Sequence, residues 1–535
     1  MKRLILGAAG VLCGAFVSIA AVAGSTAVRG GQPLTPGVNA KADDAVQKAI
    51  LSGSPVPRDI TAIRRRLQTE LGGVLKTHIV ANGGHEHPTR RGVMFMCFES
   101  YSGPMPGGQV DEGDLFLGYF LEPQGSRVVV GSGFVELIAW DRTTHRFNFY
   151  ELIDSKWSLR GDSNDVLDNI QAINTGATRP SFTFRRKSSD GTPVLRCSGC
   201  HTLGAPIMKE LEAPNNDWWT EKHKLSLGAF TLDAETAPLF EHAADASHLS
   251  ALVKKSADRL IAARAGEAGA QTLPQQLRSL FSTMEMNLVS DSVPFTEREK
   301  RGDAVEIPAG FFVDARLATP DHPVAVSLAV YKDALVRVDS RFPDNTSATR
   351  EARHAFVVPA RSFIDGRAIE ALIKSGTLDE ELVADVLAVD MTNPVYSRRR
   401  ASLIRFVPTA AAGAADLRQK LTAALRAAPA GDSAAQELLA NLTDPSRTAA
   451  FHRKAAAAFL AACAKAGGTA DTVEGWLRVA AQRREAIEKA ETATSPQGVI
   501  TERGFRVIFP VQRSRSPNPL KLNPNTGRAE PQAKP

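Results

Sequence analysis

The chain has 535 residues, 43% apolar and 23% charged, with a formal net charge of +6 and a pI near 9.0. This is the composition of a folded protein with more than one core, and it excludes a disordered or low-complexity chain. The positive excess is mild and no basic stripe is interleaved with aromatics, so nothing points to nucleic acid; it suits docking to an acidic partner.

The chain begins Met1-Lys2-Arg3, continues as an apolar run from Leu4 to Ala23, and closes that run on Ala21-Val22-Ala23. A basic start, an apolar middle and a small-x-small end predict a cleaved signal peptide at 1–23. The rival is an uncleaved membrane anchor, because the run is about long enough to span a bilayer; its Gly and Ala content favours cleavage. No later stretch is apolar enough to cross, so no transmembrane segment is expected after cleavage.

Residues 24–39 are rich in Gly, Pro and Thr and read as a linker. Lys41 to Leu51 and Ile60 to Leu75 have helical periodicity, with Arg64-Arg65-Arg66 expected on a solvated face. His78 to Val80 turns extended. The following loop, Asn82 to Pro88, carries His85 and His87, a pair that invites a metal reading but has no third ligand to name. Residues 93–152 read as short strands: Val93 to Phe98, Asp114 to Leu121, Arg127 to Val130, Phe134 to Asp141 and His145 to Leu152. In the last, His145, Phe147, Phe149 and Glu151 alternate with Arg146, Asn148 and Tyr150, which predicts an antiparallel sheet with one face packed. Asp165 to Ile173 reads as a short helix.

The stretch that carries chemistry is Arg196-Cys197-Ser198-Gly199-Cys200-His201. C-x-x-C-H is the spacing for covalent haem attachment: two thiols three positions apart reach the two vinyl groups of one porphyrin, and the next histidine brings an imidazole nitrogen to the iron. A zinc site would need a second ligand pair, and no second C-x-x-C exists. A thioredoxin-like redox pair would need a βαβ context that the surroundings lack, and a structural disulfide is the remaining rival. The other two cysteines beyond the leader, Cys97 and Cys463, sit in separate apolar stretches and read as buried free thiols rather than a disulfide.

From Leu195 to Trp219 the chain resembles a c-type cytochrome. One attachment motif implies one covalently held haem c, with Cys197 and Cys200 as its thioether positions and His201 as the proximal iron ligand. The length beyond it is similar to large bacterial single-haem proteins in which a cytochrome c segment sits inside a bigger periplasmic body. The resemblance therefore implies a periplasmic location, since such haem is attached outside the cytoplasm, and redox partner proteins. It also implies a proline carbonyl receiving the other N–H of the ligand imidazole, for which Pro206 is the candidate. For the sixth iron position, Met286 or Met284, well downstream, are the candidate sulfur ligands; Met208 is close to the motif, and His223, His242 and His248 are the candidate imidazoles. An open position is the alternative. Trp218 and Trp219 cannot share a face, so one is expected in the core and the other against the porphyrin or the surface.

Ser247 to Val289 reads as helical, with a boundary near 290. Ala368 to Lys374 and Asp379 to Val389 pair around Ser375-Gly376-Thr377, and Leu417 to Ala427, Ala434 to Leu442, His452 to Lys465 and Thr472 to Ala490 form an Ala-rich helical region. Arg398-Arg399-Arg400 is expected on a solvated face, and the tail from Arg513 reads as disordered. The fold class is α+β: a β-rich region at 24–190, a haem-binding cytochrome c-like segment at 191–290, a mainly helical region at 291–512 and a tail at 513–535. The function expected is one-electron transfer by an exported single-haem cytochrome. The alternatives are a haem oxidoreductase acting on peroxide, oxygen or nitrogen oxides at an open site, and a haem sensor or assembly subunit without turnover.

Overall fold

A computed structural model describes residues 42–81, 94–165, 185–187, 193–195, 201, 203–208, 218–221, 224–266, 272–282, 286–289, 295–318, 323–338, 340–341, 356, 358–361, 363–493, 511–512 and 518–532. The chain is α+β, with an antiparallel sheet in the N-terminal half and helices in the C-terminal half. The stretches expected as leader and linker, the His85–His87 loop and most of 165–173 lie outside the described residues.

The sheet grows from local turns. Strands β1 (Val74–Ala81), β2 (Phe95–Met105), β3 (Gly108–Gln124), β4 (Arg127–Asp141), β5 (Arg146–Ile153) and β6 (Lys156–Asp162) pair in sequence order as an antiparallel meander. The link from β5 to β6 is the two-residue turn Asp154-Ser155, both at positive φ, the mirror-image turn whose twist matches that of paired strands. Between β4 and β5, Asp141 Oδ1 accepts from the backbone N–H groups of Thr143 and Thr144, both at 2.9 Å, which closes the loop with a side chain instead of a ladder bond. The two runs expected at Arg127–Val130 and Phe134–Asp141 are one long strand, β4.

Both faces of this sheet are packed, not one. Along β2, Phe95, Cys97 and Tyr101 face one layer while Met96 and Phe98 face the other, as a period of two requires. Leu115, Leu117, Tyr119, Val135, Leu137, Tyr150 and Leu152 continue the first layer. They are covered by a π-helical stretch at Val46–Leu51, by α1 (Ile60–Arg65, continued to Glu70 by a π turn) and by α2 (Ala237–Glu241). The second layer holds Phe116, Phe120, Trp140, Phe147 and Phe149 and is covered by α3 (Ala246–Gly266) and by Leu203, Ala205, Met208 and Trp218. Even the polar set of β5, Arg146, Asn148 and Glu151, is buried, because side chains supply partners: Glu151 pairs with Arg160 at 2.6 Å and Asn148 donates to Asp44 at 2.7 Å. Burial of that set follows from pairing, which alternation alone does not reveal. Arg64 also departs from the solvated reading: its Nε lies 3.2 Å from the fully buried Glu99. The helix it belongs to gives way to β1 at Val74, earlier than the periodicity to Leu75 suggested.

The second core belongs to the helical half. It takes in α4 (Leu328–Val338), α5 (Phe363–Lys374), α6 (Glu380–Ala388), α7 (Ala414–Arg426), α8 (Ser433–Thr443), α9 (Ala449–Ala466) and α10 (Ala470–Ala493). Leu417, Leu421 and Leu425 recur every fourth residue and all are buried, which is one helix face turned to the core. Gly376, at φ +75°, turns α5 into α6, and Asp379 Oδ1 caps α6 by accepting from Leu382 N at 2.7 Å. Leu273, Leu277, Leu280 and Phe281 join this core, and Met286–Val289 is a strand, β7, not helix.

The tail is ordered over 518–532. Leu520–Leu522 and Ala529–Pro531 form a hairpin, and the indole N–H of the fully buried Trp476 donates to Gly527 O at 2.7 Å. A side chain at Gly527, itself at φ +68°, would come within 2.6 Å of the Cys463 backbone. The low apolar content suggested disorder, yet this hairpin is held by docking onto α9 and α10 and needs little core of its own. Arg400 is buried too, and its guanidinium donates to the carbonyls of Val389 (3.3 Å), Asn393 (3.1 Å) and Pro394 (2.9 Å). The two halves meet where Arg367 of α5 grips Asp258 of α3 with two bonds of 2.9 and 2.7 Å, and where Phe363 and Ile364 pack into the second sheet layer.

Candidate functional site

His201 lies against the second face of the sheet. Phe147 and Phe149 project there from β5, and the ring of Phe149 stands 5.3 Å from the His201 imidazole at an angle of 53°. Ahead of it, Arg185–Lys187 and Pro193–Leu195 pair as a small antiparallel ladder that ends just before the C-x-x-C-H stretch. Cys197 and Cys200 lie outside the described residues, as do Met284 and His223.

After His201 the chain makes a tight turn. Gly204 N donates to His201 O at 2.7 Å, with Gly204 at φ +71°. A Cβ there would stand 2.5 Å from Ser163 O, so only glycine lets this turn sit against the end of β6. The same turn brings the Ala205 carbonyl to the imidazole: His201 Nδ1 donates to Ala205 O at 2.8 Å. The expected acceptor, Pro206, is corrected by one residue, because the positive φ of Gly204 curls the chain back a residue early. A carbonyl only accepts, so this bond assigns the proton to Nδ1 and leaves Nε2 as the lone-pair nitrogen of the neutral ring.

The other candidates scatter. Met208 is buried among Val80, Met96, Phe116, Phe120 and Trp218 and acts as a core residue of the second layer. Met286 opens β7, paired opposite Arg361 in Val358–Arg361, which leads into α5. His242 closes α2, on the far side of the sheet from His201. His248 is engaged with His78, Lys76 and Glu112. Trp218 fills the second layer, while Trp219 packs toward the first with Lys224 3.6 Å over its ring. Cys97 and Cys463 are both buried free thiols, each in a different core.

Three residues that shape this site carry no sequence signal. Ser163 bonds the turn through Oγ, Arg264 reaches it from α3, and Ala205 offers the acceptor. Nothing local in the sequence marks any of the three.

Among the described residues, no group of three or more His, Cys, Asp or Glu side chains is arranged to hold a metal ion, and no helix is long and apolar enough to cross a membrane. No family model, curated protein or solved structure matches this chain.

Proposed function

We propose that this chain is an exported single-haem c-type cytochrome that passes single electrons between partner proteins in the periplasm. Cys197 and Cys200 would hold the porphyrin as thioethers and His201 would ligate its iron through Nε2. The observation that carries the reading is the 2.8 Å bond from His201 Nδ1 to Ala205 O. It fits an iron ligand because a metal-bound histidine needs its second nitrogen held as a donor, which fixes the ring and raises its basicity. The aromatic wall of Phe147 and Phe149 suits a large apolar group beside the imidazole. Haem supplies one-electron oxidation and reduction of iron when bound; the residues of this chain orient the ligand, hold its proton at Nδ1 and set the polarity of its surroundings.

The test is haem-stained denaturing electrophoresis of the exported protein. Covalently retained pigment is expected in the wild type and absent in C197A/C200A; an unstained wild-type band sinks the reading. The reduced spectrum then assigns the activity. A low-spin spectrum unmoved by carbon monoxide fits an electron carrier, and a high-spin spectrum that shifts on adding it fits a haem oxidoreductase or gas sensor.

A further inference from the structure

Three consecutive carbonyls after His201 each have a donor, and each donor comes from a different element. Leu203 O accepts from Arg264 Nη1 at 2.7 Å, from the last turn of α3. Gly204 O accepts from Ser163 Oγ at 2.6 Å, from the end of β6. Ala205 O accepts from His201 itself. The first two donors are tied together, since Arg264 Nη2 also donates to Ser163 O at 3.0 Å. Ser163 Oγ is held in turn by the backbone N–H of Phe147 at 2.9 Å. Ser163 is fully buried and Leu203, Gly204 and Ala205 are buried, so the two Ser163 Oγ bonds form out of competition with water, while those of Arg264 and His201 are part-buried.

We infer that Arg264 and Ser163 are positioning residues for His201. They fix the carbonyls of Leu203 and Gly204, and the peptide that follows then presents the Ala205 carbonyl to Nδ1. The guanidinium fork holds two carbonyls from separate segments through two different nitrogens in a fixed plane, a geometry that the single rotating ammonium of a lysine does not reproduce. The consequence for the imidazole is a single tautomer, with Nε2 as its donor atom. The effect on iron rests on the haem reading; the effect on the histidine does not.

The experiment uses the full chain labelled with 15N at histidine, as R264Q, R264K and S163A, each prepared with the attachment cysteines intact and as C197A/C200A. The ring-nitrogen shifts of His201 report its tautomer. In the unsubstituted background the Nδ1–H form is expected. In S163A and R264Q the shifts move toward a mixture of both forms, and the Nδ1 proton exchanges with solvent roughly tenfold faster or more. R264K behaves as R264Q, because the fork and not the charge is required. Where pigment is attached, a weaker Nδ1 bond makes the ligand less basic and favours ferrous iron. The oxidised-to-reduced ratio at a fixed applied potential should then fall about threefold or more. Melting curves run alongside; should R264Q fail to fold, S163A, which deletes one hydroxyl, carries the test. An unchanged tautomer and exchange rate in folded variants overturn the inference, even where melting temperatures drop. Missing pigment with a shifted tautomer instead overturns the haem reading and leaves this one standing.

Discussion

Nε2 of His78 lies 3.0 Å from Nδ1 of His248, and the two rings stack with centroids 5.2 Å apart and planes within 6°. His78 Nδ1 donates to Phe98 O at 3.1 Å, so Nε2 must accept from His248. A proton added to His78 would set N–H against N–H. Burial, and then the neighbouring His248 and Lys76, push its pKa down to about 4, with Glu112 acting the other way. Below the ordinary histidine range the unfolded chain binds a proton that the folded chain refuses, so this group costs stability as pH falls from 6.5 toward 4. Asp44 runs oppositely. Burial raises its pKa to about 6 against the bonds from Tyr150, Gln47 and Asn148, so the folded chain takes up the proton first and stability falls as pH rises from 3.8 to 6. Each contribution is about 3 kcal/mol across its window. Relative to wild type, H78Q should gain stability as pH falls through that interval, and D44N should gain as pH rises through it. Urea unfolding at a series of pH values checks both signs, and parallel curves for the variants and wild type would rule the account out.

Gly204→Ala should loosen the turn at His201. The substitution combines a left-handed backbone with a contact of 2.5 Å to Ser163 O, and a cost of about 2–4 kcal/mol is expected from strain plus the displaced Ser163 bond. Chemical denaturation measures the loss; a change below about 0.5 kcal/mol contradicts this view of the turn.

The two buried thiols should be silent in the native chain. Burial, followed by Glu99, raises the Cys97 thiol far above its usual range, and burial pushes Cys463 up to about 12. Neither thiolate forms at pH 8, and neither sulfur is exposed. Maleimide should therefore label neither until denaturant is added, and then both. Prompt labelling of the folded protein, or a mass showing these two joined as a disulfide, would refute it.

Arg400→Met should cost roughly 3 kcal/mol or more, since it strands three carbonyls that the guanidinium satisfies at 2.9–3.3 Å in a buried site. Burial already pulls the Arg400 pKa down to about 10. A methionine variant as stable as wild type would mean that those carbonyls find other donors.

What could be read in the sequence divides along a physical line. The helices of the C-terminal half were visible because Leu417, Leu421 and Leu425 repeat on one face within a single segment. The strands were visible through alternation, as at Phe147 and Phe149. The candidate ligand His201 was visible because the spacing of the motif defines it. Relations that span the chain were not. Arg264 meets Leu203 across 61 positions and Ser163 across 101, and no local pattern encodes that. That both faces of the sheet are packed was hidden for the same reason, since buried polar residues such as Asn148 are made burial-compatible by partners such as Asp44, 104 positions away. Arg64 and Arg400 looked solvated because charge predicts exposure only until a buried partner is known.

The indole of Trp476 waits for an acceptor 51 positions further on. A ribosome or a translocation channel delivers a chain from its N-terminus, so the sheet with its His201 turn can close while the helical half still lacks its keystone. Until Gly527 emerges, Trp476, at the centre of that half, has an indole N–H with no carbonyl to meet. Maturation should thus proceed in two beats, with the His201 face settled first and the helical half locking only on arrival of the hairpin.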